Sequence, residues 1–220
     1  MTKTAAGLIK IYNLMYEKKG PMKWWPSETP FETVIGALLA QFVAWKNVST
    51  AIEKLKDNDL LTPEGIITAE EEKIKELIYS TRFYAQKVKK LKSFCNWLID
   101  KYNGRLDKMF DKGLKELRAE LLSLYGVGEE TADSIILYAA YKPIFVVDTY
   151  TRRIFSRLGY FKPDISYHEM QEFFMKHLKP DVELYNDYHA QIVNIGSIYC
   201  SSQKPDCLKC PLDTVCKKVY

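Results

Sequence analysis

Residues 121 to 153 read LLSLYGVGEETADSIILYAAYKPIFVVDTYTRR, and this stretch decides the fold. Apolar residues recur at helical spacing on both sides of Gly126-Val127-Gly128. The glycines permit positive φ angles and a close approach of the backbone to a neighbour. We expect Val127 to point into the core and to fix the turn. The stretch therefore predicts two helices joined by a glycine hairpin.

The hairpin is also a candidate binding element. The first amide groups of the helix that follows have no partners within that helix. Such amides, with the helix dipole behind them, can hold one phosphate without reading a base. Gly126, Val127 and Gly128 are therefore candidate contacts to a DNA backbone. An ordinary turn between two helices could have the same three residues, and GVG alone does not separate the two interpretations.

One carboxylate, Asp148, follows the apolar run Ile144 to Val147 and precedes a new helical pattern. An aspartate at this position usually caps the helix. The order of hairpin, helix and VVDTYTRR resembles the helix-hairpin-helix DNA glycosylases of the endonuclease III superfamily. The resemblance implies that Asp148 is the catalytic carboxylate, and capping is compatible with that role.

The composition describes a globular protein with a sizeable core. Of 220 residues, 47% are hydrophobic and 27% are charged. No apolar run reaches membrane length, and the first twenty residues lack the apolar core of a signal peptide. We therefore expect a cytoplasmic, nucleoid-associated protein without membrane contact. The net charge of +4 fits a nucleic-acid binder but also many other enzymes. No motif requires an oligomer, and we expect a monomer.

Four of the five cysteines crowd the C-terminal end, with six, two and five residues between them: Cys200, Cys207, Cys210 and Cys216. Four thiolates can hold either zinc or a [4Fe–4S] cluster. Their spacing matches the terminal iron–sulfur loop of the same superfamily, so we expect the cluster. Cys95 lies in an apolar helical stripe and is expected to be buried.

Helical periodicity recurs along the whole chain without an alternating strand pattern, so the predicted fold is all-α. The predicted helices cover about 5–17, 31–44, 47–57, 70–79, 83–101, 114–124, 129–141, 149–159, 167–178 and 183–199. The family resemblance covers essentially the whole chain and implies two domains. Residues 22–141 would form a six-helix domain with the hairpin. Residues 1–21 plus 142–220 would form a helical domain with Asp148 and a C-terminal [4Fe–4S] loop, and DNA would lie in the cleft between the domains.

The reaction type depends on one position in the second hairpin helix. Bifunctional family members carry a lysine there, in a GVGRKTA-like run, and its amine forms a Schiff base with the sugar. This chain reads GVGEETA and places Glu130 at that position. Because a carboxylate cannot form the imine, we expect a monofunctional glycosylase with little lyase activity.

The substrate prediction rests on a partial match to the 3-methyladenine DNA glycosylase III branch, carried by Trp24-Trp25-Pro26, by GALLAQ around Gln41, by Phe83-Tyr84 and by ETADSIILYA. In that branch an aromatic ring four residues after the glutamine, here Trp45, stacks the flipped base against the residue matching Trp24. An alkylated purine is cationic, and indole faces attract cations. The predicted base pocket is Trp24, Trp25, Pro26, Trp45 and Glu130.

Base excision requires extrusion of the target nucleotide from the duplex, and a side chain must fill the gap. Gln41 matches the family residue that inserts into the vacated stack, and Phe83 matches the wedge on the opposite strand. In the basic stretch of residues 87–92, Lys87 is the best candidate for a phosphate contact. Double-stranded DNA containing a damaged base is therefore the expected partner.

Two alternatives remain open at this point. The chain could remove mismatched uracil or thymine, or an oxidised pyrimidine, with lyase activity from another amine. It could also be a non-catalytic DNA-binding or redox module that keeps the fold and the cluster. The intact Asp148 argues against the second alternative.

Overall fold

The computed structural model describes residues 2–22 and 25–219, and within these ranges every regular element is helical. Its α-helices are α1 (Lys3–Lys19), α2 (Pro30–Leu39), α3 (Trp45–Asp57), α4 (Pro63–Thr68), α5 (Glu71–Leu77), α6 (Tyr84–Tyr102), α7 (Leu106–Phe110), α8 (Leu114–Leu122), α9 (Glu129–Ser134), α10 (Thr149–Arg157), α11 (Tyr167–His177) and α12 (Val182–Ile198). A π-helical turn, Ile135–Ala139, continues α9, and 3₁₀ turns lie at Tyr79–Thr81 and Cys207–Lys209. The all-α prediction is confirmed.

The structure differs from the helices predicted by periodicity at two short helices and at the end of α2. Helices α4 and α7 each bury a single side chain, Ile66 and Met109, so neither has a repeating apolar pattern. The predicted helix over 31–44 ends at Leu39 in α2, because Phe42 takes a left-handed backbone with φ 59°. The apolar residues 40–44 therefore form a loop between α2 and α3.

The chain forms two compact units: Met1–Pro26 with Pro143–Tyr220, and Ser27–Lys142. In the second unit, α2 is buried on all sides from Glu32 to Leu39 and packs on α3, α6 and the π-helical turn. A helix that is apolar all round belongs in a core. The one carboxylate that α2 buries, that of Glu32, forms an ion pair with Lys56 at 2.9 Å.

The first unit is built around α12, which packs on α1 and α10. Phe145 and Phe174 stack with ring centroids 4.2 Å apart in its aromatic core. The close approach of α10 and α12 requires Gly196, because a Cβ there would overlap the ring of Tyr150. No helix in the described ranges has both the length and the apolar character to cross a membrane.

Candidate functional site

Asp148 is the residue immediately before α10, and its side chain caps that helix. The carboxylate oxygen Oδ1 accepts hydrogen bonds from the backbone N–H of Thr151 at 2.7 Å and from its hydroxyl at 2.8 Å. The Thr151 hydroxyl in turn accepts from the backbone N–H of Asp148, which completes a capping box. The predicted capping role is confirmed. One oxygen of the carboxylate is therefore held in place by its own helix.

The second oxygen of Asp148 faces His189 of α12. His189 Nε2 lies 3.6 Å from Oδ2, a distance suited to an ion pair and slightly long for a hydrogen bond. Only 9% of the Asp148 side chain is exposed. Burial by itself would raise the pKa of Asp148, but the interaction with His189 and the bonds from Thr151 outweigh burial and hold the pKa below its ordinary value. The carboxylate is therefore ionised at neutral pH although it is nearly enclosed.

Sequence reasoning assigned no chemistry to His189. It lies 41 positions after Asp148, and only the packing of α12 against α10 brings the imidazole to the carboxylate. The signal that could have found it is the imidazole on an otherwise apolar helix face, since Tyr188, Ala190 and Ile192 beside it are all fully buried.

The glycine hairpin joins α8 to α9, and its three residues behave differently. Gly126 has φ 76°, and a Cβ there would overlap the aliphatic chain of Lys90. Val127 is buried, as predicted. Gly128 has φ −94°, and a Cβ there would meet nothing within 4 Å. Nothing in the described part of the chain requires a glycine at 128, whereas a phosphate approaching the backbone would.

A charge pair holds the two hairpin helices together. Arg118 of α8 donates two hydrogen bonds to the Asp133 carboxylate of α9, at 2.7 and 3.1 Å. Asp133 is completely buried, with 0% exposure. Arg118 also lies 3.5 Å from Glu129. The two-point geometry is the one in which arginine best fixes a carboxylate, so this pair sets the angle of the hairpin.

The predicted base-pocket residues are distributed over both units. Trp24 lies outside the described residues. In the first unit Trp25 has φ 65° and is half-buried. Pro26, which follows it, is exposed. In the second unit Trp45 is half-buried as the first residue of α3, and Glu130 is exposed in the first turn of α9. Their joint role as a pocket stays a prediction.

Gln41 lies in the loop between α2 and α3, and its side chain is bound to the hairpin. Its amide nitrogen donates to the backbone oxygen of Gly126 at 3.0 Å and to the Thr131 hydroxyl at 2.9 Å. Its amide oxygen accepts from the Lys90 ammonium. Both ends of the Gln41 side chain therefore have partners within the second unit, and its insertion into DNA stays a prediction.

Lys87 differs from the prediction of a phosphate contact. The residue is only 2% exposed, and its ammonium donates to the backbone oxygens of Leu39 at 2.8 Å, Gln41 at 3.0 Å and Thr81 at 2.5 Å. Burial, with a smaller contribution from the Lys90 charge, lowers the pKa of Lys87 to about 8. Because all three N–H bonds of the ammonium point inward, Lys87 joins the end of α2 to the 3₁₀ turn before α6.

Two phenylalanines project from the segments that Lys87 joins. Phe42 is 88% exposed with φ 59°, and Phe83 is 62% exposed with φ 44°. A left-handed backbone is unusual for a bulky residue. Phe83 was a predicted wedge, whereas Phe42 was assigned to a helix and therefore missed. Its signal in the sequence is an aromatic residue directly after the polar Gln41 in the run AQFVA.

The cysteine loop follows α12 and is held by two arginines of α10. Arg157 donates to Cys200 Sγ at 3.2 Å and to the backbone oxygens of Ser201 and Ser202 at 2.8 and 2.9 Å. Its own backbone oxygen accepts from Cys216 Sγ at 3.5 Å. Arg153 donates to the backbone oxygens of Gly196 and Cys200. These contacts fix both ends of the loop to α10.

The four loop sulfurs lie close enough to influence one another electrostatically. Burial, and to a smaller extent the charges of Cys200, Cys207 and Cys216, raise the pKa of Cys210 to about 11. Among the described residues there is no group of three or more His, Cys, Asp or Glu side chains arranged around a single metal ion. In a [4Fe–4S] cluster each cysteine binds a different iron, so its ligands do not form a single-ion group.

Cys95 is separate from the loop. It is fully buried in α6, where burial raises the pKa of its thiol to about 12. The prediction of a buried cysteine is confirmed.

Comparisons with known proteins find a matching family model and several similar proteins. Residues 35–180 match the family model described as HhH-GPD superfamily base excision DNA repair protein. A putative DNA repair glycosylase of Methanocaldococcus jannaschii is 45% identical, with 95% of each chain covered. Endonuclease III of Thermotoga maritima is 31% identical, covering 86% of this chain and 83% of the relative.

Two solved structures show the same fold. Endonuclease III in a non-covalent complex with DNA superposes with a TM-score of 0.83 at 27% identity, covering 99% of this chain and 97% of the other. The 3-methyladenine DNA glycosylase of H. pylori bound to 1,N6-ethenoadenine superposes with a TM-score of 0.77 at 26% identity, covering 89% of this chain and 98% of the other.

Proposed function

Because the chain belongs to the HhH-GPD superfamily of base excision DNA repair proteins, we propose that this DNA glycosylase is monofunctional and releases alkylated purines such as 3-methyladenine from double-stranded DNA. The observation that carries the proposal is Asp148, a nearly enclosed carboxylate whose pKa is held below its ordinary value.

Asp148 supplies the charge that such a reaction needs. Cleavage of the N-glycosidic bond leaves positive charge on the sugar, and a fixed carboxylate stabilises that charge. Thr151 holds Oδ1, and Oδ2 faces His189. The same carboxylate orients the attacking water and accepts its proton. An alkylated purine is already electron-poor, so its departure needs no general acid at the ring.

The absence of an amine at position 130 supports hydrolysis over lyase chemistry. Glu130 stands in the first turn of α9, where bifunctional relatives would carry the nucleophilic lysine. A carboxylate forms no imine with the sugar. The product is therefore an intact strand with an abasic site.

Three tryptophans favour a cationic base as the substrate. Indole faces attract a positively charged base, and the sequence resemblance implies this role for Trp24, Trp25 and Trp45. A carboxylate at Glu130 would add further attraction. The structural relative from H. pylori is a 3-methyladenine DNA glycosylase with 1,N6-ethenoadenine bound. That relationship supports a purine substrate here.

Cys200, Cys207, Cys210 and Cys216 would hold a [4Fe–4S] cluster. The residues present fit that group, because Arg157 donates to one sulfur and the four sulfurs influence one another's ionisation. The cluster would cross-link a loop too short to form its own core. Glycosylase chemistry at Asp148 requires no step at the cluster.

The proposal is tested by single-turnover release of free bases from methylated duplex DNA, with the bases identified by chromatography. Wild type is compared with Asp148→Asn and with the matched control Asp181→Asn. Asp181 is also an N-cap aspartate, and its side chain accepts from Leu184 N–H at 3.0 Å. We expect 3-methyladenine release by wild type and Asp181→Asn, and its loss in Asp148→Asn. Strand breaks should arise only after hot alkali.

A second candidate is favoured by the endonuclease III relatives, one of them 31% identical. It is excision of an oxidised or mismatched pyrimidine, with lyase activity from an amine elsewhere. Borohydride trapping of a covalent complex, together with no release of any alkylated base, would establish this candidate and overturn the proposal.

A further inference from the structure

We propose that Phe42 is the side chain by which the loop between α2 and α3 enters the DNA duplex, stacking at the position that the extruded nucleotide leaves. This inference rests on the proposed function, since it assumes a base-extruding enzyme on duplex DNA. It concerns how the duplex is held open, and it does not depend on which base is removed.

The first observation is the backbone at Phe42. Its φ of 59° is a left-handed conformation that disfavours a bulky side chain, and 88% of the residue is exposed. An exposed aromatic ring forgoes the stabilisation that burial would bring. Strained, exposed residues of this kind persist where the surrounding structure imposes them, and they cluster at binding sites.

The second observation is what imposes that conformation. The backbone oxygen of Gln41, next to Phe42, accepts from the buried Lys87 ammonium at 3.0 Å. The Gln41 side chain is bound to Gly126 and Thr131 of the hairpin region. With residue 41 held at its backbone and its side chain, the chain turns outward at residue 42. Gln41 thus acts as the support, and Phe42 is the projecting group.

The third observation is a second exposed phenylalanine on the same support. Lys87 also binds the backbone oxygen of Thr81 at 2.5 Å, two residues before Phe83. Phe83 has φ 44° and is 62% exposed. Because one ammonium binds both segments, their backbones are close neighbours within the second unit. Two outward phenylalanines on one rigid support form a pair of apolar wedges.

The partner that fits such a pair is a duplex with a gap in its base stack. Phenylalanine is among the side chains that proteins insert between base steps to unstack and bend DNA. A ring stacks on any base, so the contact is independent of sequence. The amide of Gln41 could fill the same gap only by breaking its three side-chain hydrogen bonds to Gly126, Thr131 and Lys90.

The test uses full-length protein and two duplexes, one unmodified and one with a tetrahydrofuran analogue of an abasic site. Phe42→Gly removes the ring and relaxes the left-handed backbone, so thermal stability should be unchanged or higher. We expect this variant to lose about tenfold or more in affinity for the abasic duplex, the effect of one lost stacking contact. Its affinity for unmodified duplex should change less than about twofold, because phosphate contacts remain.

Two further variants separate the ring from the backbone. Phe42→Trp keeps an aromatic face and should retain tight binding to the abasic duplex. Phe42→Asn tolerates the left-handed conformation without a ring and should repeat the loss seen with Phe42→Gly. 2-Aminopurine placed opposite the analogue should change in fluorescence with wild type and Phe42→Trp, but not with Phe42→Gly.

Two results would overturn the proposal. The first is that Phe42→Gly keeps full affinity for the abasic duplex and a normal fluorescence change, whereas Gln41→Ala loses both. That result would make Gln41 the inserted group. The other is an equal loss on both duplexes, which would make Phe42 a general surface contact. Since the abasic duplex carries no base to excise, these results are independent of whether alkylated purines are the substrate.

Discussion

Two aspartates in the stretch from 121 to 153, Asp133 and Asp148, have different surroundings. Asp133 in the hairpin helix is completely buried and receives two hydrogen bonds from Arg118. Asp148 keeps 9% of its side chain exposed, and its outer oxygen faces His189 at 3.6 Å. A carboxylate whose two oxygens are both bound to an arginine is a structural group. A carboxylate with one oxygen fixed and the other held loosely can still interact with a reacting sugar.

The largest expected effect is on chemistry at Asp148. Asp148→Asn should lower the single-turnover rate by at least about a hundredfold, since it removes both the charge and the proton acceptor. Asparagine caps helices about as well as aspartate, so the free energy of unfolding should change by less than about 1 kcal/mol. Rate and chemical denaturation are measured on the same preparation. An unchanged rate would contradict the assignment of Asp148 as the catalytic carboxylate.

The opposite pattern is expected at Asp133. Asp133→Asn removes the fully buried charge partner of Arg118, and breaking a buried ion pair typically costs about 3–5 kcal/mol of stability. The rate per folded molecule should remain near that of wild type, because Asp133 takes no part in the reaction. Chemical denaturation and active-site-normalised rates check both statements. A loss of rate without a loss of stability would remove the distinction between the two aspartates.

A smaller effect is expected at His189. His189→Ala removes an interaction that lowers the pKa of Asp148, while the burial that raises it remains. We expect kcat to fall while KM stays nearly unchanged, because the carboxylate loses the group that faces its outer oxygen. His189→Gln keeps an N–H donor near Oδ2 and should recover part of the rate.

The pH dependence of the rate distinguishes a His189 that positions the Asp148 carboxylate from a His189 that only packs in the core. A depressed carboxyl pKa makes the ionised form persist to lower pH, and its contribution to stability is lost only as pH falls through the folded-state value. The acidic limb of the wild-type rate should therefore lie below the ordinary aspartate range near pH 4. In His189→Ala that limb should move to higher pH. An unmoved limb would show that His189 only packs.

The smallest effect is expected at Gly128, where a substitution should weaken DNA binding without changing the chemistry at Asp148. Gly128→Ala adds a Cβ at an unstrained φ of −94°, and none of the described residues has an atom within 4 Å of it. Stability should stay equal or rise by about 0.4–1 kcal/mol, while DNA affinity falls severalfold because the Cβ blocks a phosphate.

Gly113→Ala is the matched control for that variant. Gly113 also precedes a helix, with φ −60°, and a Cβ there also meets nothing within 4 Å. Titration of fluorescent duplex should show weaker binding for Gly128→Ala alone. Equal affinity of both variants would argue against a phosphate at the hairpin.

Local rules made much of the fold predictable. The long helices follow apolar periodicity, Val127 is buried between two glycines, and Asp148 caps α10, because each of these depends on residues within a few positions in the chain. Helices α4 and α7 were missed because each buries only one side chain. The loop at residues 40–44 was read as helix because its composition is apolar.

The sequence by itself determined the all-α class, the hairpin, the position of Asp148 and the grouping of four cysteines, since all four depend on local spacing. Only the tertiary structure decided the partners of the functional side chains. Gln41 reaches Gly126 across 85 positions, and Lys87 turns inward to carbonyls as far as 48 positions away. The physical reason is that burial and pairing of a polar group depend on which helices pack together, and periodicity does not encode that choice.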